Sequence, residues 1–265
     1  MRKVINLPIL FKPYNLGDLI RLGGNKDGGY LLSKKSFFKS NFLVSLGVAY
    51  NWDFEIDFLK KKNNKKLSVI AYDNSISREI VKRFSIKSFI FFFIKPSFKK
   101  IQHINKFFSY IRTFDENRAT HIPLNVAETR SSKNISIKEI FKFSKKEKII
   151  LKIDIEGNEY KLLKHILENL NQINVLIIEF HSIKKNKKII LNFIKKINKK
   201  FYISHTHVNN VSLTKDGKNA EIIEFTFEKK SLFNGDIKPS NYNYPIDKLD
   251  FPSSKKVDDC QVLFI

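Results

Sequence analysis

From Phe42 onward, short apolar runs alternate along the chain with longer Lys-rich segments. The short runs are rich in β-branched and aromatic residues, which predicts buried strands. The longer segments carry apolar residues at intervals of three and four, which predicts helices packed on a sheet. The predicted strands are Leu43–Leu46, Ser68–Tyr72, Thr120–Val126, Ile149–Ile153, Val175–Phe180, Phe201–His205 and Ile222–Phe227. The predicted helices are Asp53–Lys61, Ile76–Phe84, Ile137–Phe143, Glu159–Asn169 and Lys185–Lys199.

This alternation is typical of a doubly wound, Rossmann-like α/β fold. We therefore predict one domain, residues 1–265, with a seven-stranded, mostly parallel sheet. An N-terminal extension (1–41) precedes the first strand, and a Phe-rich helical insertion (88–112), interrupted by Pro96, follows the second. A tail rich in Pro, Asn and Ser (230–265) is expected to wrap the domain. The insertion is the first candidate for a homodimer contact or an active-site cover.

The net charge of the chain is only weak evidence on whether the protein binds nucleic acid. The chain has 49 Lys and Arg against 26 Asp and Glu, a formal net charge of +23. Lys, Asn, Ile and Phe are also favoured by AT-rich coding, so a solvated Lys surface explains the excess without any partner. The alternative is a protein that binds or modifies RNA, with Lys on phosphates and Phe stacked on bases. Because Arg is scarce and the Lys residues are dispersed, we expect no nucleic-acid partner.

Cysteine content and apolar run length predict a compartment. The single cysteine, Cys260, excludes an intramolecular disulfide and a Cys-rich zinc site. The segment Met1–Pro13 lacks the apolar length and cleavage site of a signal peptide. The densest apolar run, Phe89–Ile94, is far shorter than the ~20 residues of a membrane-spanning helix. We expect a cytoplasmic protein without a membrane span.

Residues that can carry chemistry follow the predicted strands directly. Gly47 ends the first strand, where a glycine allows a sharp turn and a close approach to ligand, although a plain turn is the common alternative. Asp73 closes the second strand, where nucleotide-binding folds place an acid that accepts hydrogen bonds from ribose; it could instead cap the next helix.

Acids and histidines follow the later strands. Asp154 and Glu156 alternate after the fourth predicted strand, so their side chains start on one face. Glu179 and His181 end the fifth, and His205-Thr206-His207 ends the sixth. Each alone has a structural alternative as a cap, a turn residue or a satisfied buried histidine. Their coincidence at neighbouring strand ends favours a site.

The sequence resembles a known family at these positions. The block LKIDIEGNEYKLL (Leu151–Leu163) is similar to the signature of FkbM-type methyltransferases. A branch of that family is indicated by RLGGNKDGGYLL (Arg21–Leu32), VSLGVAYNWDFE (Val44–Glu55) and HTHVNN (His205–Asn210). The resemblance extends from Arg21 to the C-terminal LDFPSSKKVDD, and its one clear departure is Ala49, where this branch commonly has glycine.

The resemblance implies a class I methyltransferase that uses S-adenosylmethionine. It implies that Ser45, Leu46 and Gly47 line the methionine end of the cofactor and that Asp73 holds the ribose. The loop Asp27-Gly28-Gly29-Tyr30 would cover the cofactor and acceptor. The acceptor would be a small anionic or sugar-linked molecule, O-methylated in surface-glycan, capsule or natural-product biosynthesis.

Two mechanisms fit these residues. In the first, the catalytic residues are Asp154, Glu156 and His181, with Asp154 or His181 as general base. In the second, a divalent cation binds and acidifies the acceptor, and its ligands are Asp154, Glu179, His181 and His207. Oxygen ligands suit Mg²⁺, and added imidazole favours Mn²⁺. A degenerate Rossmann domain that serves as a scaffold, without binding S-adenosylmethionine, is the non-enzymatic alternative.

Overall fold

The computed structural model describes residues 3–62, 66, 68–94, 98–114, 117–144 and 147–265, with side chains except at 93, 94 and 98–100. The strands are β1 (Val4–Leu7), β2 (Leu19–Leu22), β3 (Tyr30–Ser33), β4 (Phe42–Leu46), β5 (Val69–Tyr72), β6 (Ala119–Ile122), β7 (Asn125–Ala127), β8 (Asn134–Ser136), β9 (Ile149–Ile153), β10 (Ile173–His181), β11 (Phe201–Val208), β12 (Ile222–Lys229) and β13 (Gln261–Phe264). The helices are α1 (Lys34–Lys39), α2 (Asp53–Lys62), α3 (Arg78–Ile94), α4 (Phe98–Phe114), α5 (Ile137–Phe143), α6 (Glu159–Glu168) and α7 (Ile183–Ile197).

Seven strands form the main sheet, in the order β11-β12-β10-β9-β4-β5-β6. The five strands from β10 to β6 run parallel to one another, and β12 is antiparallel to both β10 and β11. The strand order reverses direction between β4 and β9, which is where a doubly wound sheet opens a crevice at its carboxyl edge. The predicted fold class is confirmed.

Helices cover both faces of the sheet because the strands are apolar on both sides. Val44 and Leu151 belong to the core beneath α5, α6 and α7. Leu43 and Ile150, one residue earlier on the same strands, belong to the core beneath α2 and the α3–α4 pair. Successive strand residues point to opposite faces, so each apolar run supplies two cores. This explains why the strands read as unbroken apolar runs.

Local capping sets where α5 begins. The Ser136 side chain accepts a hydrogen bond from the backbone of Lys138, and Glu139 accepts one from the backbone N–H of Ser136. This capping box satisfies backbone donors that the first helical turn leaves unpaired.

Most predicted elements differ from the structure by one to three residues at an end, and two differ in how they are divided. The third predicted strand, Thr120–Val126, is divided into β6 and β7, because Pro123 has no N–H to donate to the sheet. The predicted helix Ile76–Phe84 and the start of the predicted insertion form one continuous helix, α3, which packs on α4 as a helical hairpin. Pro96 lies outside the described residues.

The extension and the tail contact each other and the sheet. β1 pairs in parallel with β13, and β2 and β3 form an antiparallel hairpin around the Asp27–Tyr30 loop. Ser33 donates from both its backbone and its hydroxyl to Glu228 on β12, and both residues are fully buried. The residues at both ends of the chain therefore pack on the edge formed by β11 and β12.

The HTHVNN motif on β11 holds the tail. His205 Nε2 lies 3.1 Å from Asp250, and His207 Nε2 lies 3.0 Å from Asp259. Asn210 donates to the backbone oxygens of Ser254 and Val257. Three residues of the motif thus fasten the tail at four points.

Within the described ranges, no helix combines the length and the apolar character needed to cross a bilayer.

The tail contact predicts a pH-dependent contribution to stability. Burial raises the pKa of Asp250, but His205, His207 and the Ile246 N–H outweigh it and lower the pKa from 3.8 to about 2. A depressed carboxyl pKa stabilises the fold above the unfolded value and is lost as pH falls through the folded value. We expect Asp250→Asn to lower the free energy of unfolding by about 2 kcal/mol at pH 7. Urea titrations from pH 7 to 3 should show this difference shrinking below pH about 4.

The matched control is Asp247→Asn, because Asp247 is exposed three residues away. It should unfold like the wild type at every pH. Equal stability of Asp250→Asn and the wild type at pH 7 would contradict the anchoring role.

Candidate active site

A glycine is required at position 47 because the ends of β4 and β9 lie very close together there. Its φ is +80°, and a Cβ built there would lie 1.6 Å from the backbone oxygen of Asp154. The Asp154 N–H donates to Leu46, and the Gly47 N–H donates to Tyr72. The ends of β4, β5 and β9 are therefore joined at a point where only glycine fits.

Three residues in left-handed conformation follow neighbouring strands at this edge. Ala49, Glu156 and Ser182 have φ values of +47°, +52° and +53°, and they follow β4, β9 and β10. Each such non-glycine residue costs on the order of 1 kcal/mol, so strain is concentrated along the edge. Strained backbone of this kind is found preferentially at functional sites.

Asp73 fixes the loop after β4. Its Oδ2 accepts hydrogen bonds from the Val48 and Ala49 N–H groups at 2.8 and 2.6 Å, and its Oδ1 accepts from Ser75 N–H at 2.6 Å. Burial raises the pKa of Asp73, but the hydrogen bonds from Ser75, Ala49 and Val48 hold it below its usual value. Asp73 is therefore an anion at neutral pH, on the edge of a cavity.

That cavity, of about 400 Å³, opens at the carboxyl ends of β4, β5 and β9. Gly47, Asp73 and Asp154 all line it, so the three residues share one rim. The wall also carries the amide side chains of Asn74, Asn125, Asn134 and Asn158 with Lys161. A cavity of this size, with both polar and apolar residues in its lining, suits a small molecule.

Beside the cavity, His181 is surrounded by carboxylates. Its Nε2 lies 3.6 Å from Glu156, 3.8 Å from Asp154 and 3.8 Å from Glu179. Its Nδ1 lies 3.4 Å from Glu159. Burial lowers the pKa of His181, but Glu159, Asp154 and Glu156 raise it above its usual value. His181 therefore favours the protonated form, which makes it a poor proton acceptor.

Tyr30 joins this group to a second set of acids. Its hydroxyl lies 3.5 Å from both Asp154 Oδ2 and Glu179 Oε2. Glu179 in turn has carboxylate oxygens of Asp27 and Glu224 within 4.8 Å. Burial, together with Asp154 and Glu224, raises the pKa of Glu179 well above its usual value. We call the set Asp27, Tyr30, Asp154, Glu156, Glu179, His181 and Glu224 the acidic cluster.

The register of the sheet explains why Glu179 and Glu224 lie side by side. Glu179 on β10 pairs with Glu224 on β12, and Glu224 pairs with His207 on β11. Burial lowers the pKa of His207, but Asp259 and Glu224 raise it well above its usual value. Like charges side by side in a sheet are unfavourable, and the His207 imidazole, 3.5 Å from Glu224, offsets part of the negative charge there.

His207 is not grouped with the other predicted metal ligands. Its two ring nitrogens face carboxylates, Asp259 at 3.0 Å and Glu224 at 3.5 Å. Among the described residues, metal-compatible side chains form two groups, Asp154, Glu156 and His181 in one and Asp27, Glu179 and Glu224 in the other, and neither group includes His207. The predicted set Asp154, Glu179 and His181 is divided between the two.

Five predicted cofactor residues do not line the cavity: Ser45, Leu46, Gly28, Gly29 and Tyr30. Ser45 donates to Glu55 at 2.6 Å beneath α2, and Leu46 is fully buried in the core. A Cβ at Gly28 would meet the Asn51 side chain at 2.6 Å, and one at Gly29 would meet Gly24 O at 2.2 Å. These glycines allow the loop to fold against its neighbours, which places Tyr30 in the acidic cluster.

Sequence reasoning missed Glu159, Glu224 and Lys152. Glu159 is fully buried and accepts hydrogen bonds from the backbone of Gly157 and His181, which joins the turn after β9 to β10. Lys152 is buried in β9, where its Nζ donates to Gly47 O at 2.8 Å. The usable signal was a charged residue inside an apolar strand, as at Lys152 and Glu224.

Comparison with known proteins identifies the family. The family model described as Methyltransferase FkbM domain matches residues 45–208, a range that begins inside β4 and includes β9 and β10. The chain belongs to the FkbM methyltransferase family. No curated protein matches it significantly. Among solved structures, a fibrillarin/Nop5p complex is similar at 11% identity and a TM-score of 0.37, over 72% of this chain and 73% of that one. That likeness is too low to carry an argument.

An FkbM methyltransferase uses S-adenosylmethionine, and the cavity fits such a ligand. Its volume lies within the ~300–1,000 Å³ of small-molecule sites. Asp73 offers a carboxylate, and Asn125 and Asn134 offer amides, which are the groups that bind ribose hydroxyls and ring nitrogens. The cavity thus offers space for a molecule of this class between the ends of β4, β5 and β9, and Asp154 lines it.

The positive φ of Ala49 predicts a stabilising substitution. Ala49→Gly removes the strain of a left-handed Ala, and the N–H that donates to Asp73 remains. We expect the free energy of unfolding to rise by about 0.5–1 kcal/mol in urea titrations. The control is Ala127→Gly, which lines the same cavity from β7 and should lower it by a similar amount. A loss of stability in Ala49→Gly would contradict the strain.

Proposed function

We propose that this methyltransferase O-methylates a sugar hydroxyl of a small acceptor. The observation that carries the proposal is the position of Asp154, which lines the cofactor cavity and also belongs to the acidic cluster. A residue shared by both sides is placed to act where methyl donor and acceptor meet.

The acidic cluster favours a neutral, polyhydroxylated acceptor over a free anion. Carboxylates accept hydrogen bonds from sugar hydroxyls and repel phosphate. The net charge of +23 is a property of the whole surface, whereas the acceptor side carries the carboxylates of Asp27, Asp154, Glu156, Glu179 and Glu224. Roles in surface-glycan, capsule or natural-product biosynthesis are all compatible with such an acceptor.

Asp154 is the proposed proton acceptor. When bound, S-adenosylmethionine supplies an electrophilic methyl group on a sulfonium. Burial raises the pKa of Asp154 to about 6, so its carboxylate is more basic than usual yet largely deprotonated at neutral pH. His181 and Tyr30 position the Asp154 carboxylate, and His181 contributes positive charge beside it. The proton of the acceptor hydroxyl passes to Asp154 as the methyl group is transferred.

If Asp154 is the general base, its substitution should abolish methyl transfer but leave cofactor binding intact. In Asp154→Asn, we expect turnover to fall by about 10²–10⁴-fold because the proton acceptor is gone. Calorimetry should still detect binding of S-adenosylhomocysteine to this variant. Transfer is measured by release of S-adenosylhomocysteine with a panel of free and nucleotide-linked sugars, and Asp236→Asn, at an exposed site, is the control.

The pH profile separates this role from a structural one. Asp154 acts as a base only when deprotonated, so wild-type kcat/KM should fall below pH about 6. Residual activity of Asp154→Asn should lack that step. Full activity of Asp154→Asn would contradict the role of Asp154 as general base. Failure of the wild type to bind S-adenosylhomocysteine would contradict the proposed methyltransferase activity.

A second arrangement, a divalent cation, is favoured by one observation. Ligand atoms of Asp154, Glu156 and His181 lie within 4.8 Å of one another, and His181 Nε2 makes no contact shorter than 3.6 Å with them. A cation with oxygen and imidazole ligands would be Mn²⁺ in preference to Mg²⁺, and it would allow a phosphorylated acceptor.

Chelation tests the cation. If it binds there, EDTA abolishes transfer, Mn²⁺ restores it better than Mg²⁺, and Glu156→Gln raises the Mn²⁺ concentration for half-maximal rate by about tenfold. Wild-type protein that stays fully active after chelation, with no metal by elemental analysis, would exclude the cation and leave Asp154 as base.

A further inference from the structure

Exposed apolar side chains are concentrated on the α3–α4 hairpin. Phe89, Ile90 and Phe91, in the last turns of α3, are 54%, 55% and 53% exposed. Ile86, one turn earlier, and Ile101, in the first turn of α4, are exposed as well. We call these five residues the apolar tip. Exposed hydrophobic residues elsewhere, such as Phe38, Phe143 and Ile189, lie on separate elements.

The apolar tip has a basic border. Ile86 and Ile90 lie four residues apart on α3, and Phe89 lies between them at a spacing of three from Ile86, so the three form one strip. Arg83 and Lys87 lie beside this strip and are exposed. From Arg78 to Phe114 the sequence has nine Lys and Arg residues and one acid, Glu79.

The opposite side of the hairpin is fixed to the domain. Trp52 donates its ring N–H to Ser109 at 3.0 Å, and the Tyr110 hydroxyl lies 2.7 Å from His121 on β6. Lys106 lies 3.7 Å from Asp53 at the start of α2. The apolar tip is therefore held outward by a packed base.

We propose that the apolar tip docks this protein on an anionic lipid surface. An amphipathic helix with Phe and Ile on one face and Lys and Arg beside them lies in the interface plane, where apolar burial and attraction to anionic headgroups add. The hairpin combines both properties within two turns of α3. It binds the membrane peripherally.

Charge argues against two other occupants. A symmetric contact between two copies would bring two basic hairpins together, and the single acid of each hairpin offers little to neutralise them. RNA would meet the basic residues but would leave Ile86 and Ile90 without a favourable partner. An anionic bilayer satisfies both features.

Docking would also bring the cofactor loop close to the lipid. Tyr50, which follows Ala49, contacts Phe84 on α3 and His103 on α4, with ring centroids 6.3 and 5.8 Å apart. The loop that Asp73 holds is thus packed on the hairpin itself. An acceptor presented at a bilayer surface would reach the site from this side.

Vesicle binding by the full-length protein tests the proposal. At physiological salt, the wild type should sediment with phosphatidylglycerol-containing vesicles at least about tenfold more strongly than with pure phosphatidylcholine vesicles. The double variant Ile86→Asn/Ile90→Asn should bind the anionic vesicles at least about tenfold more weakly. The control, Ile189→Asn/Val211→Asn, changes two equally exposed residues elsewhere and should bind like the wild type.

Circular dichroism melting and S-adenosylhomocysteine binding verify that each variant is folded. Wild-type protein that does not bind anionic vesicles would overturn the proposal. Equal binding by wild type and the double variant would also overturn it, because diffuse charge would then suffice. A dimer or an RNA complex that the double variant abolishes, without vesicle binding, would assign the apolar tip to that partner instead.

Discussion

The site depends on holding several carboxylates together at the carboxyl edge of one sheet. Asp154, Glu179 and Glu224 end or occupy three adjacent strands, and cross-strand pairing brings the last two side by side. Unscreened acids at this spacing would repel strongly, so the fold supplies compensation. His181 and His207 lie among them, and neighbouring carboxylates raise the pKa of each imidazole despite its burial; burial, Asp154 and Glu224 raise the pKa of Glu179 well above its usual value. The edge is therefore rich in carboxyl groups, and the imidazoles of His181 and His207 offset part of their negative charge.

The sheet was predictable from the sequence because its physics is local. Strands buried on both faces read as unbroken apolar runs, as at Ile149–Ile153, and the covering helices read by their three-and-four spacing. The ends of helices and strands were less predictable where a single residue or a tertiary contact determines them. Pro123 divides a run that otherwise reads as one strand, and α3 continues to Ile94 because packing on α4 supports it.

The site was predictable only where chemistry follows a strand directly. Gly47, Asp73 and Asp154 do so, and the structure places them on one cavity rim. Glu224 was missed because β12 enters the sheet antiparallel between β10 and β11, a placement set by long-range pairing. The same pairing places His207, a predicted metal ligand, 3.5 Å from Glu224.

Through His207, a substitution in the C-terminal tail can change the electrostatics of the acidic cluster. It bridges Asp259 of the tail and Glu224 of the acidic cluster, at 3.0 and 3.5 Å. A substitution in the tail that removes Asp259 would take away one of the carboxylates that raise the pKa of His207, and would so change the electrostatic potential at Glu224 from outside the acidic cluster.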